Sequence, residues 1–289
     1  MKFSQLVHIP FFLFTIFMYG QTTRIFISAH QDDWQLFMNP NVYQSIKSSE
    51  DKTIIIHTTA GEAGDGLGND SYYKAREEGS LRAIRFLSNT YSSGKNIGNE
   101  MERSYASINS HRILRYGYRN TNVYLLRLPD GNGNGTGYEI HDFKSLEKLN
   151  TGEISNFPSI DGQTNYTNRK DLIETLKRIF EIEKGENKLE IHLADTDSER
   201  NPDDHSDHQN SSKLAQEAAK LVGNLTLYFY VNYYTSELEQ NVFDHDFLVS
   251  AGTWGVTTSG ISDYRHYSTW DDSHNVWIGR QYFRKEYLK

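Results

Sequence analysis

The sequence predicts an α/β protein of Rossmann-like class, a mainly parallel sheet with helices on both faces, and three observations lead there. Apolar strand-like runs alternate with stretches whose apolar residues recur at helical spacing. The chain has 289 residues, 37% of them apolar, enough for one full-sized core and so for one domain with insertions. Nearly every unusual polar cluster directly follows a strand run, which is where an open parallel sheet gathers its ligands.

Taken in order, TRIFISA (23–29) is the first strand and WQLFMNPNVYQSI (34–46) the first helical stretch. The strand KTIIIHTT (52–59) and the helical YYKAREEGSLRAIRFLS (72–88) repeat the unit. Further on come the strand NVYLLRLPD (122–130), a helix over 169–184, the strand KLEIHLAD (188–195), a helix over 206–222 and the strand LTLYFYVNYY (225–234). DGNGNGTGY (130–138) and SNFPSIDGQTNYTN (155–168) are rich in Gly, Asn, Ser and Thr and read as long surface loops, of the kind that often border sites. The aromatic and polar segment over 252–283 has no clear period, and there is no internal repeat.

Charge and composition exclude several classes of function. A net charge of -8 with no long Lys/Arg run argues against nucleic acid as a partner, because phosphate binding needs a concentrated basic face. Residues 1–20 carry one Lys, an apolar stretch and a small residue before Gln21, the layout of a secretory signal peptide. The expected organisation is therefore a signal peptide over 1–20 and a single domain over 21–289, exported to the periplasm or the exterior, with no stable membrane insertion once the signal is removed. A retained anchor is the alternative reading of the same pattern. There is no cysteine, so stability comes from the core or a metal and not from disulfides.

His30, Asp32 and Asp33 follow the first strand, and HSDH (205–208) follows the fourth, with His205 and His208 three residues apart. At that spacing on a helix both rings face one side. Three ligands of the His/Asp/His type drawn from these two loops match a catalytic zinc site with one position left open for water. Asp32 is placed to take that water's proton once a metal has lowered its pKa toward neutrality. The structural alternatives are an Asp pair acting as a helix N-cap and a solvated DDHSDH loop.

AHQDD (29–33), TTAGEAGD (58–65), KAREEGSLRA (74–83) and HSDH (205–208), in this order, resemble the PIG-L/LmbE-like family of zinc-dependent N-acetylglucosaminyl de-N-acetylases, over the chain from Gln21 to about residue 223. The resemblance implies that His30, Asp33 and His208 bind Zn²⁺, another divalent transition metal being the alternative. It implies that Asp32 is the general base and that His205 is the cationic partner of the tetrahedral oxyanion. Asp207 would orient a histidine, Arg76 would lie near bound substrate, and Asp130 and Glu62 would contact sugar hydroxyls. The implied reaction is removal of the acetyl group from an N-acetylated sugar or glycoconjugate. Gln31 and Ser206 stand in place of the family's two prolines, and Trp34 stands where an acidic residue is common, positioned to reshape the pocket or stack on a sugar face.

Two other readings compete. Trp254, Tyr264, Tyr267, Trp270 and Trp277 could serve a non-catalytic carbohydrate-binding protein by stacking on sugar rings, or could be core. The same metal site could also hydrolyse another amide or an ester.

Overall fold

In a computed structural model, residues 21–48, 50–90 and 100–289 are described; the expected signal segment 1–20 lies outside them. Elements run in chain order β1 (Thr22–Ser28), α1 (Asp33–Phe37), α2 (Asn41–Lys47), β2 (Lys52–Thr59), α3 (Tyr72–Thr90), β3 (Glu102–Ile108), β4 (His111–Tyr118) and β5 (Thr121–Leu128). They continue with α4 (Leu146–Thr151), β6 (Phe157–Pro158), β7 (Asn165–Tyr166), α5 (Arg169–Lys184), β8 (Lys188–Ala194), α6 (Ser206–Val222), β9 (Leu225–Tyr230), α7 (Asp244–Asp263), α8 (Asp272–Asn275) and β10 (Phe283–Leu288).

Eight strands form one sheet in the order β10-β9-β8-β1-β2-β5-β4-β3. The five central strands β9, β8, β1, β2 and β5 pair in parallel, as the alternating pattern predicts. Successive residues of β1 and β2 point to opposite faces: Ile25, Ile27, Ile54 and Ile56 join a core with α5 and α6, whereas Phe26 and Ile55 join a second core beneath α2 and α3. Burial on both faces is why these strands read as unbroken apolar runs.

Three features depart from the sequence reading. The stretch over 34–46 is two short helices, α1 and α2, with Pro40 at the start of the second; a proline has no N–H to continue a helix through that point. An antiparallel hairpin, β3 and β4, extends the sheet beyond β5. Its two-residue turn is Asn109 and Ser110, both at positive φ (49° and 66°), which matches the twist of a hairpin but lacks the glycine that would signal it. The segment without a clear period holds the long helix α7, which packs on α3 and also touches α1; its buried face is mostly Ser, Thr and Gly, so no apolar stripe marks it in the sequence.

The crossing of α3 and α7 depends on two glycines. A Cβ on Gly260 would stand 2.6 Å from the Cα of Gly79, and one on Gly79 would stand 2.6 Å from the carbonyl oxygen of Thr257. Gly260→Val is therefore expected to destabilise the fold by about 1–3 kcal/mol, the usual cost of overpacking, in denaturant unfolding. An unchanged midpoint would show that the two helices can separate without loss.

No helix among the described residues is long and apolar enough to cross a membrane.

Candidate metal centre and its cavity

From β1 the sheet grows one way through β2 and β5 and the other way through β8 and β9, so the loops after β1 and β8 diverge and leave a crevice. The loop after β1 carries His30, Asp32 and Asp33, and the loop after β8 runs to His205 and His208 at the start of α6. Both sequence clusters thus meet at the switch point of the sheet.

His30 Nδ1 lies 3.2 Å from His208 Nε2, Asp33 Oδ1 lies 3.1 Å from His208 Nε2, and His30 Nδ1 lies 3.6 Å from Asp33 Oδ1. Ligand atoms about 2.0–2.2 Å from a tetrahedral zinc stand roughly 3.3–3.6 Å from one another. The three atoms therefore have the dimensions of one face of such a tetrahedron, and all three residues are buried.

Each histidine is held from its far side. His208 Nδ1 is 2.7 Å from Asp204 Oδ1, and His30 Nε2 is 3.3 Å from Asp207 Oδ2. Carboxylates at these nitrogens leave His208 Nε2 and His30 Nδ1 for an ion and fix the ring orientations. Asp204 itself accepts from the side-chain amides of Asn201 and Asn232, at 2.8 and 3.2 Å. Asp207 Oδ2 also accepts the Gly131 N–H at 2.8 Å, and a Cβ on Gly131 would sit 2.4 Å from Asp207 Oδ1, so this approach requires glycine.

Burial pulls the His30 imidazole down, but Asp33, Asp207 and Asp130 outweigh it and raise the group to about 10. Burial likewise opposes the charge on His208, and Asp33 and Asp204 hold it well above the ordinary value. Asp33 is driven well below the carboxylate range, against its burial, by His208 and His30. The cluster of carboxylates therefore demands positive charge between them, which protons or a divalent cation can supply.

Asp32 occupies the N-cap position of α1 but makes no capping hydrogen bond. Its carboxylate pairs with the Arg76 guanidinium, which also donates to the Gly61 carbonyl at 2.8 Å. Burial raises the Asp32 carboxyl, and Arg76 together with the His30 and His274 charges outweighs it, so the group is held below its usual range. The N-cap alternative thus accounts for its backbone position and not for its side chain.

His205 is the N-cap of α6, and its Nδ1 accepts the Asp207 N–H at 3.0 Å. A ring that accepts there carries its single proton on Nε2. Burial, followed by the charges of His30 and His208, also drives its pKa down. Where the resemblance implies a cationic His205, the cap geometry leaves Nε2 as the ring's donor. The solvated-loop alternative for DDHSDH does not hold, because Asp207 and His208 are buried.

A cavity of about 200 Å³ opens beside the cluster. His30, Asp32, Arg76, Asp130 and His205 are among its lining residues. Tyr72 and Tyr138 also line it, and Tyr233, His274 and Trp277 contribute from the C-terminal part. Trp277 stacks on Tyr233 with ring centroids 5.0 Å apart. A wider groove of about 560 Å³ between α4 and α6 shares none of these residues.

Neither Glu62, expected to contact sugar hydroxyls, nor Trp34, expected to reshape the pocket or stack on a sugar, lines the cavity. Glu62 is fully buried, accepts the Asp130 N–H at 3.0 and 3.1 Å and faces His141 Nε2 at 3.1 Å, so it braces Asp130. Trp34 is also fully buried and packs in the core, so its ring is not available to a sugar. Of the C-terminal aromatics, Trp254 is core, Trp277 lines the cavity, and Tyr267 and Trp270 are exposed. The loop over 155–168 contributes nothing to the cavity, whereas the loop over 130–138 does.

Sequence reasoning did not find Asp204, Tyr72, Tyr138, Tyr233 or His274. Asp204 alone left a signal, four residues before His208 and one helical turn away.

Residues 25–219 match the PIG-L family, described as GlcNAc-PI de-N-acetylase. Among solved structures, the chain is similar to the N,N'-diacetylchitobiose deacetylase from Pyrococcus horikoshii complexed with its inhibitor MPG. That pair has 14% identity and a TM-score of 0.43, covering 92% of this chain and 76% of the other. It is also similar to the zinc inhibited form of teicoplanin deacetylase Orf2, at 12% identity and a TM-score of 0.42, covering 84% of this chain and 83% of the other. No curated protein sequence matches the chain.

Proposed function

This chain belongs to the PIG-L family of de-N-acetylases, and from that premise we propose that it is a zinc-dependent hydrolase that removes the acetyl group from an N-acetylated sugar or sugar conjugate. The observation that carries the proposal is the triangle of His30, Asp33 and His208, sized for a tetrahedral ion, with the ionised Asp32 beside it on the cavity wall.

His30 Nδ1, Asp33 Oδ1 and His208 Nε2 would hold the ion. When bound, it supplies positive charge that polarises the acetamide carbonyl and makes a water acidic near neutral pH. Asp32 takes a proton from the attacking water. Arg76 keeps that carboxylate ionised and oriented beforehand. The neutral His205 donates its Nε2 proton as a hydrogen bond to the oxygen that gains charge as the tetrahedral intermediate forms. Asp32 then passes its proton to nitrogen as the C–N bond breaks, leaving acetate and a free amine.

The cavity is smaller than the roughly 300–1,000 Å³ of pockets that enclose drug-sized ligands. It therefore takes one sugar unit and leaves the rest of a conjugate outside. Trp277 and Tyr233 offer an aromatic wall to the ring, and Asp130 offers a hydroxyl acceptor.

Acetate release from a panel of N-acetylated amino sugars and conjugates tests this reading, with ester substrates as the comparison. Release that stops on chelation and returns with added zinc is expected. A zinc-loaded protein that cleaves esters but no acetamide would move the assignment to another metal hydrolase.

A further inference from the structure

We propose that Trp34, Ser80 and His57 form a hydrogen-bonded clamp that holds the turn from His30 to Asp33 at the width a metal ion requires. The inference rests on the metal-centre reading above and concerns residues that touch neither the ion nor substrate.

The contacts run in one direction. Trp34 Nε1 is 2.9 Å from Ser80 Oγ, Ser80 Oγ is 3.1 Å from His57 Nε2, and His57 Nδ1 is 3.2 Å from the carbonyl oxygen of His30. An indole N–H only donates and a carbonyl only accepts, so both ends are determined. Ser80 accepts from Trp34 and gives its own proton to His57 Nε2, which places the imidazole proton on Nδ1, toward His30. No member can be reversed without leaving two acceptors or two donors facing each other.

The clamp closes around the ligand turn. One end holds the carbonyl of His30, and the other is the side chain immediately after Asp33. The His30 carbonyl also accepts from the Ser28 hydroxyl, and the His30 N–H donates to Asp33 Oδ2 at 2.8 Å. Both polar groups of the His30 peptide are thereby engaged. Three separate elements supply the clamp: α1 gives Trp34, β2 gives His57 and α3 gives Ser80. All three residues are buried and none lines the cavity. The Trp34 ring is further packed in the core with Phe26, Ile55 and Leu81.

Such partners outside the ligand set typically change metal affinity by about 10–100-fold. The competing explanation is that three buried polar groups merely satisfy one another. His57→Leu removes the donor to His30, whereas His57→Asn keeps an amide N–H at the position of Nδ1. The measurements are the zinc dissociation constant by chelator competition and the melting temperature of the metal-free full chain. In parallel, ¹⁵N NMR of the metal-free protein reads the His57 tautomer.

His57→Leu and Ser80→Ala are expected to weaken zinc binding by roughly 10–100-fold, His57→Asn to recover most of that loss, and wild-type His57 to carry its proton on Nδ1, toward the His30 carbonyl. Wild-type zinc affinity in His57→Leu would overturn the clamp while leaving the metal centre standing. Equal losses in the Leu and Asn variants that follow the melting temperature would reduce it to packing. An Nε2 proton on wild-type His57 would also overturn it. A wild-type protein that binds no zinc would instead sink the metal-centre reading, and the clamp with it.

Discussion

Asp32→Asn is expected to lower kcat for acetate release by about 10²–10⁴-fold, the usual contribution of a positioned general base, while zinc content stays at the wild-type level. The amide keeps the shape of the carboxylate and an oxygen for Arg76, but it cannot take the proton of water. None of the three proposed ligand atoms belongs to Asp32, so the ion stays. Acetate release measured beside metal content separates the two effects. Turnover near wild type would remove Asp32 from the chemistry, and loss of zinc would show that it supports the ion directly.

His208→Ala is expected to remove both zinc and activity. The substitution takes away one corner of the ligand triangle and leaves Asp33 and Asp204 facing each other's charge across the gap. A buried carboxylate that loses its partner is strongly unfavourable, so stability should fall as well, by about 3–5 kcal/mol. Metal content of the purified variant and its denaturant midpoint read the two losses separately. Full zinc occupancy in His208→Ala would refute its role as a ligand. Wild-type stability would show that Asp33 and Asp204 were not dependent on its charge.

Much of the fold was legible because parallel strands covered on both faces leave consecutive apolar residues such as Ile54, Ile55 and Ile56, and amphipathic helices such as α5 leave a 3.6-residue stripe. The hairpin of β3 and β4 and the helix α7 were not legible. The first turns on positive φ at Asn109 and Ser110 with no glycine to signal it, and the buried face of the second is mostly Ser, Thr and Gly, which leaves no apolar stripe.

The candidate site divides in the same way. His30, Asp33, His208, Asp32, Arg76, Asp130 and Asp207 come together as their motifs suggested. Glu62 was expected at substrate from the family resemblance and Trp34, next to the metal loop, to reshape the pocket or stack on a sugar; neither expectation fixes which way a side chain points, and both residues are buried. The role of Trp34 became visible only through Ser80 and His57, which lie 46 and 23 residues away from it.

The sequence by itself determined the kind of fold and the residue types that meet at its switch point, since apolar periodicity and strand-end motifs are local properties of the chain. Only the tertiary structure decided the rest: which nitrogen of His30 and of His208 faces Asp33, that His205 caps α6 through Nδ1, which aromatic residues wall the cavity, and what contacts the turn from His30 to Asp33. Those depend on hydrogen-bond partners and burial contributed by other elements, and orientation and desolvation arise only when the elements pack together.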